Sequence, residues 1–315
     1  MAIAGVVTVG VLAAAFDYST KIFFPILDIS RFYALAQASL SAGERIFSLI
    51  DETVDIKDEK GATDFNKIKG DIKFENVTFQ YVEGKPVLKD LGLHIKAGQS
   101  IALVGPTGEG KTTIVNLIGR FYEPTTGRIV IDGEDYKEKT LNSLRGQMGT
   151  VLQTPHLFSG TIRENIRFAN PECEEKEVEE ALLLLGADAF IKRLDEEVGE
   201  NGELLSEGEK QLVSFARAII AKPAIFIMDE ATSSIDTLTE AKIQAGVEHI
   251  ISSRTSIIIA HRLSTIKNCD RILVIQKGKI AEDGNHDELI AKGGIHHELY
   301  TKQFRGDLVE EMTAV

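Results

Sequence analysis

The chain opens on sixteen uncharged residues, MAIAGVVTVGVLAAAF, and a second apolar group, IFFPIL, follows after DYSTK. A helix that spans a bilayer needs about 20 mostly apolar residues. The pattern predicts a membrane helix that continues past Asp17 and Lys21, two charges spaced i, i+4 that share a helical face and can pair. Ala13, Ala14 and Ala15 resemble a signal-peptide cleavage site, but the positive n-region of such peptides is missing. From Ile29 to Ile50 apolar residues recur three and four apart in RFYALAQASLSAGERIFSLI, the period of an amphipathic helix leaving the membrane. The stretch 51–69 is charged, aperiodic and short of large apolar residues, which predicts a solvated linker.

A compact domain is expected to begin at Gly70. Ile72, Phe74, Val77 and Phe79 suit β-strands, and the run from Ile101 to Val104 leads into a glycine-rich loop. Lys111 to Tyr122 has a helical pattern, RIVIDG is strand-like, and helices dominate from about Thr161 to Ala221. Ala224–Met228, Ser256–Ile259 and RILVIQ add three further strands. Strands that alternate with helices predict an α/β domain with a mainly parallel core sheet, interrupted by a helical insertion. The expected organisation is a membrane segment at 1–50, a linker at 51–69, a compact domain at 70–308 with its insertion near 156–222, and a tail at 309–315.

Composition narrows the function classes. The 315 residues are 43% hydrophobic and 26% charged, enough for a sizeable core. A formal charge of −13 argues against a nucleic-acid partner, which requires clustered Lys and Arg. Cys173 and Cys269 lie far apart with no metal-ligand spacing, as expected of buried, reduced thiols.

The candidate chemistry starts at Gly105-Pro106-Thr107-Gly108-Glu109-Gly110-Lys111-Thr112-Thr113, which satisfies G-x-x-x-x-G-K-[ST] between a strand and a helix. In such a loop backbone N–H groups close around phosphates, Lys111 reaches the β- and γ-phosphates, and the Thr112 hydroxyl can ligate Mg²⁺. IFIMDE brings Asp229 to the end of a buried strand, where it can hold Mg²⁺ through water. Glu230 follows at once and can orient or deprotonate an attacking water. The plainer role for Glu230 is as an acidic cap of the next helix.

Three further motifs resemble those of ABC ATPases. LLSEGEKQLVSFARA, with Ser206 and Gly208, is similar to the LSGGQ signature; VLQTPHLF puts Gln153 at the Q-loop; IIIAHRLST puts His261 at the switch histidine. The resemblance implies that Tyr81, in VTFQYVEGKPVLKDL, stacks on adenine, that Gln153 also meets the metal, and that Ser233, Ser234, Ile235 and Asp236 form the D-loop. EEVGENG resembles the x-loop of exporters, and Val7 to about Phe304 resembles the last membrane helix and the nucleotide-binding domain of an exporter half-transporter. The resemblance therefore implies an α/β P-loop ABC cassette with a mainly parallel core sheet, an antiparallel β subdomain and a helical insertion. It implies ATP and Mg²⁺ as cofactors and hydrolysis coupled to export of a small molecule, lipid or peptide. The ATPase would face the cytoplasm from the plasma or cytoplasmic membrane. Half-transporters have six membrane helices, so a fragment or truncated frame is expected here.

In that family two cassettes close head to tail, and Ser206 with Gly208 would contact the γ-phosphate held by a second half-transporter. Two acidic residues depart from the pattern. Glu109 sits inside a loop that holds a polyanion and should repel it unless the side chain points outward or meets a cation. Glu207 is a tolerated change, but Glu209 replaces the terminal Gln of the signature, which favours a heterodimer with unequal sites. The competing readings are a non-catalytic ABC subunit that regulates its partner and a soluble ABC ATPase of DNA maintenance or translation.

Overall fold

In this computed structural model the described residues are 8–229, 246, 248, 251, 253–259 and 263–302. The chain divides into two units between Asp55 and Ile56. The first is essentially one helix, α1 (Val9–Ile50), 42 residues long and capped by Thr8, whose side chain accepts from Val11 N–H. At 1.5 Å per residue it is about 63 Å long, roughly twice the apolar thickness of a bilayer. By length and composition α1 is long and apolar enough to cross a membrane. The apolar segment and the amphipathic segment therefore form one continuous helix, with Pro25 inside it. Lys21 Nζ pairs with Asp17 at 2.6 Å, as their spacing predicts. Ser19, Thr20 and Ser30 donate back to the carbonyls of Ala15, Phe16 and Ile26, which satisfies hydroxyls that lipid cannot.

The second unit holds two sheets. An antiparallel sheet comprises β1 (Ile72–Val82), β2 (Lys85–Ile95), β4 (Thr126–Ile131) and β5 (Glu134–Asp135), in the order β2-β1-β4-β5. The larger sheet comprises β3 (Ser100–Val104), β6 (Met148–Val151), β7 (Ile225–Asp229), β8 (Thr255–Ile259), β9 (Arg271–Gln276) and β10 (Lys279–Gly284). Its order is β10-β9-β3-β8-β7-β6, parallel throughout except for β10. Because both faces are covered, its central strands are continuous apolar runs. Phe226 and Met228 of β7 join one core with the helices α4 (Ile162–Arg167), α5 (Glu175–Leu184) and α6 (Glu207–Ile220). Ile225 and Ile227 face the other core, shared with the antiparallel sheet, α2 (Lys111–Ile118) and α3 (Leu141–Arg145).

Two boundaries differ from the sequence expectation. The helix after the glycine-rich loop ends at Ile118, not Tyr122, because Gly119 caps it and Arg120 turns left-handed at φ 50°. Arg120 is only 1% exposed, and its guanidinium donates to the carbonyls of Tyr136 and Lys139 and pairs with Glu123. The segment expected to be solvated through residue 69 is docked from Lys57 onward. Phe65 and Ile68 are buried. Phe65 N–H donates to Ser143 Oγ, Ile68 N–H to Gln147 Oε1, and Leu141 N–H to Asp58. Two large apolar side chains among many charges suffice to anchor it, a signal too sparse for periodicity to reveal.

Candidate functional site

The site is assembled at the C-terminal ends of the parallel strands. All five residues of β3 are buried, and Gly105 follows with φ 140°. A Cβ at Gly105 would lie 2.3 Å from the Ile275 carbonyl oxygen, so only glycine lets the chain turn here. Gly110, at φ 106°, then starts α2. Helix N-termini with a glycine-rich approach bind phosphate, because backbone N–H groups point outward and the dipole favours negative charge. Lys111 is 7% exposed, and its ammonium donates to the carbonyls of Gly105 and Pro106 at 2.7 and 2.8 Å, closing the loop on itself. Burial lowers its pKa, while the charges of Asp229 and Glu109 oppose that shift.

Glu109 does not point at the loop's interior. Its carboxylate accepts from the Lys277 N–H, in the turn between β9 and β10. The backbone of that turn is packed close to β2: Lys89 N–H donates to the Gly278 carbonyl, and a Cβ at Gly278 would meet the Val87 oxygen at 2.2 Å. An acidic side chain is thus compatible with an anion-binding loop because its charge is turned away and bound by a donor 168 residues distant.

Ladder register brings the other candidates near. Met228 lies opposite Val151, and Asp229 opposite Ile259. Asp229 therefore ends β7 beside the strand next to the loop's own, half-buried, and Gln153 stands exposed two residues beyond β6. Thr112 is exposed on the first turn of α2. Among the described residues no three His, Cys, Asp or Glu side chains converge as a metal cage. Hard oxygen donors such as Thr112, Asp229 and Gln153 suit Mg²⁺, which uses few protein ligands and relies on phosphates and water for the rest. Glu230, His261 and Asp236, with Ser233, Ser234 and Ile235, lie outside the described residues.

The aromatic expectation has a defined setting. Tyr81, 48% exposed, presents its hydroxyl to Thr113 Oγ1 at 3.2 Å and its ring edge-on to Phe79 and Tyr122. Nothing in the sequence pattern singled out Tyr122; its only signal is its place just past α2.

Ser206 is the N-cap of α6, and Gly208 is buried in its first turn. Glu209 completes a capping box: Ser206 Oγ accepts from Glu209 N–H, and the Glu209 carboxylate accepts from Ser206 N–H at 2.9 Å. The same carboxylate pairs with Arg193 at 2.6 Å. Burial raises the Glu209 pKa, but Arg193 and Ser206 outweigh it and hold the group below the usual value. Its stabilising contribution is therefore present above the ordinary glutamate pKa, about 4.3, and is lost as pH falls through the lowered folded value. Glu209→Gln keeps a capping side chain and removes the charge. The variant is expected to unfold more easily than the parent at pH 7, with a gap that narrows as pH falls below the ordinary glutamate range, as urea midpoints would report.

The doubly covered parallel sheet, the glycine-rich loop with its lysine, and Asp229 at the neighbouring strand end have the layout of a P-loop nucleotide-binding site, and the helix capped by Ser206 carries the segment similar to the ABC signature. Residues 88–233 match the family model described as ABC transporter, and that stretch is similar to the family's ATPase cassettes. The chain is 45% identical over 96% of its length to the uncharacterized ABC transporter ATP-binding protein YfiC of Bacillus subtilis, covering 51% of that protein. It is also 45% identical, over 95% of its length, to a probable multidrug resistance ABC transporter ATP-binding/permease protein, YheH of Bacillus subtilis, covering 45% of it. Among solved structures, a bacterial Atm1-family ABC exporter with ATP bound matches 94% of the chain and 52% of its own, at 38% identity and a TM-score of 0.77. The chain spans about half the length of the curated relatives it matches.

Proposed function

We propose that this chain is the ATP-binding and hydrolysing part of an ABC exporter, its cassette on the cytoplasmic side of the membrane that α1 enters. The observation that carries the reading is the gathering of the Gly105–Thr113 loop, Asp229 and Gln153 at one end of a parallel sheet, in a chain that also has a membrane-length helix. Loop N–H groups and Lys111 would bind the triphosphate, and Tyr81 would stack on the base. Thr112, Asp229 and Gln153 would hold Mg²⁺, which when bound neutralises developing phosphate charge. Glu230 would orient the attacking water, with His261 and Asp236 beside the γ-phosphate. Ser206 and Gly208 would complete the ATP site of a second half-transporter, whose signature would complete this one.

Glu209 supports a heterodimeric partner by departing from the family's Gln, while its partners Arg193 and Ser206 keep its charge occupied within its own helix region. The cargo class comprises drugs, lipids and peptides; α1 alone does not select among them. Mg²⁺-ATP hydrolysis by the chain from Ile56 onward, followed against protein concentration, tests the reading. A rate per chain that climbs with concentration is expected if a second copy can complete the site. Tight ATP binding with no turnover would require a different partner chain. Absence of ATP binding would overturn the proposal.

A further inference from the structure

Tyr81 is half-exposed, and an exposed ring at the end of a strand is free to rotate unless something holds it. Three contacts do. Its ring meets Phe79 at 4.8 Å and 88°, and Tyr122 at 5.0 Å and 90°, both edge-to-face, and its hydroxyl reaches Thr113 Oγ1. Phe79 is a core residue at 4% exposure, and Thr113 belongs to the loop helix. Tyr122 is different: it is 41% exposed, belongs to no motif, and touches both rings, lying 5.6 Å from Phe79.

Tyr122 is itself pinned on both sides by backbone and buried charge. Two residues earlier, Arg120 is left-handed and locked by the carbonyls of Tyr136 and Lys139. One residue later, Glu123 pairs with that same guanidinium at 2.9 Å. A short segment fixed at both ends has little freedom to move the ring between them. Edge-to-face rings gain energy only at defined angles, so a fixed Tyr122 fixes the angle of Tyr81.

We propose that Tyr122 is a positioning residue for base recognition: it holds Tyr81 in the orientation that stacks on adenine and contributes nothing to the phosphates. The inference rests on the reading of Tyr81 given above. The full-length chain, reconstituted in nanodiscs, is titrated calorimetrically with ADP and with inorganic tripolyphosphate, which has no base. Tyr122→Leu is expected to weaken ADP about three- to tenfold, the scale of one aromatic pair, and to leave tripolyphosphate unchanged. Tyr122→Phe, which keeps the ring, is expected to bind both like the parent. In a Tyr81→Ala background Tyr122→Leu should have no further effect.

Because both rings are half-exposed, the leucine substitution opens no buried cavity, and tripolyphosphate affinity reports an intact loop. Unchanged ADP affinity in Tyr122→Leu, equal weakening of both ligands, or a further loss in the Tyr81→Ala background would each overturn the positioning role. If Tyr81→Ala itself leaves ADP affinity unchanged, the base platform assigned to Tyr81 falls, which is a separate failure from that of Tyr122.

Discussion

A chain that begins at Gly70 is expected to lose much of the cassette's stability, whereas one that begins at Ile56 retains it. The docked segment contributes Phe65 at 7% and Ile68 at 4% exposure. Removing a buried side chain of this size costs on the order of 2–5 kcal/mol. Domains have only about 5–15 kcal/mol in total. The truncation would also strip Gln147 of its acceptor at the Asn66 carbonyl and its donor at Ile68 N–H, and Lys139 Nζ of Thr63 Oγ1. Lys139, 7% exposed and stacked over Phe65, would be left with Glu134 as its remaining partner. Urea unfolding of the two chains measures the difference, and Phe65→Ala in the longer one should reproduce about 3 kcal/mol of it. Coincident midpoints would mean that the segment is an attached linker after all.

The reason this segment escaped a reading from sequence is physical. Periodicity registers elements that bury a repeating stripe, and the segment is anchored instead by two apolar side chains and by side chains of distant residues. Sequence is most legible where burial is continuous. Ile101–Val104 and Ala224–Met228 are apolar at every position, and Ser256–Ile259 at all but its first, because the sheet they form is covered on both faces, and all three are strands, with edges shifted by one residue. The glycine-rich loop was legible because its backbone demands glycine at fixed spacing, as the close approach of Gly105 to Ile275 requires.

The residues that tune the site were not legible, because their partners are remote. Glu109 stood out as an anomaly in sequence, but its answer is a backbone N–H at Lys277 that only the packing of the β9–β10 turn supplies. Glu209 likewise looked like a damaged signature. The S-x-x-E spacing from Ser206 was present in the sequence, and the capping box it forms is local. Arg193, its second partner, comes from a separate turn. The overshoot of the loop helix to Tyr122 has the same origin, since a buried Arg120 and its carbonyl partners override a pattern that continues apolar through Phe121.

Lys111→Ala and Glu230→Gln are expected to stop ATP hydrolysis at different steps. Lys111 is held against two carbonyls with little solvent, so burial lowers its pKa despite the opposing charges of Asp229 and Glu109. The folded chain then binds fewer protons than the unfolded one between the lowered value and the ordinary lysine pKa of about 10.4. Stability from this group rises with pH through that window, and below it the buried ammonium is a cost. Lys111→Ala should remove that rise and, by deleting a charge-assisted contact, weaken ATP about 10- to 100-fold. Glu230→Gln preserves the loop and its lysine, and removes only the group proposed to orient and deprotonate water. It should bind ATP like the parent and hydrolyse it about 10²- to 10⁴-fold more slowly. The ATP-dependent shift in unfolding midpoint reports the first effect, and single-turnover hydrolysis at saturating ATP reports the second. A Glu230→Gln variant that turns over at a tenth of the parental rate or faster would remove Glu230 from the base role, and a Lys111→Ala variant with parental affinity would remove Lys111 from the phosphates.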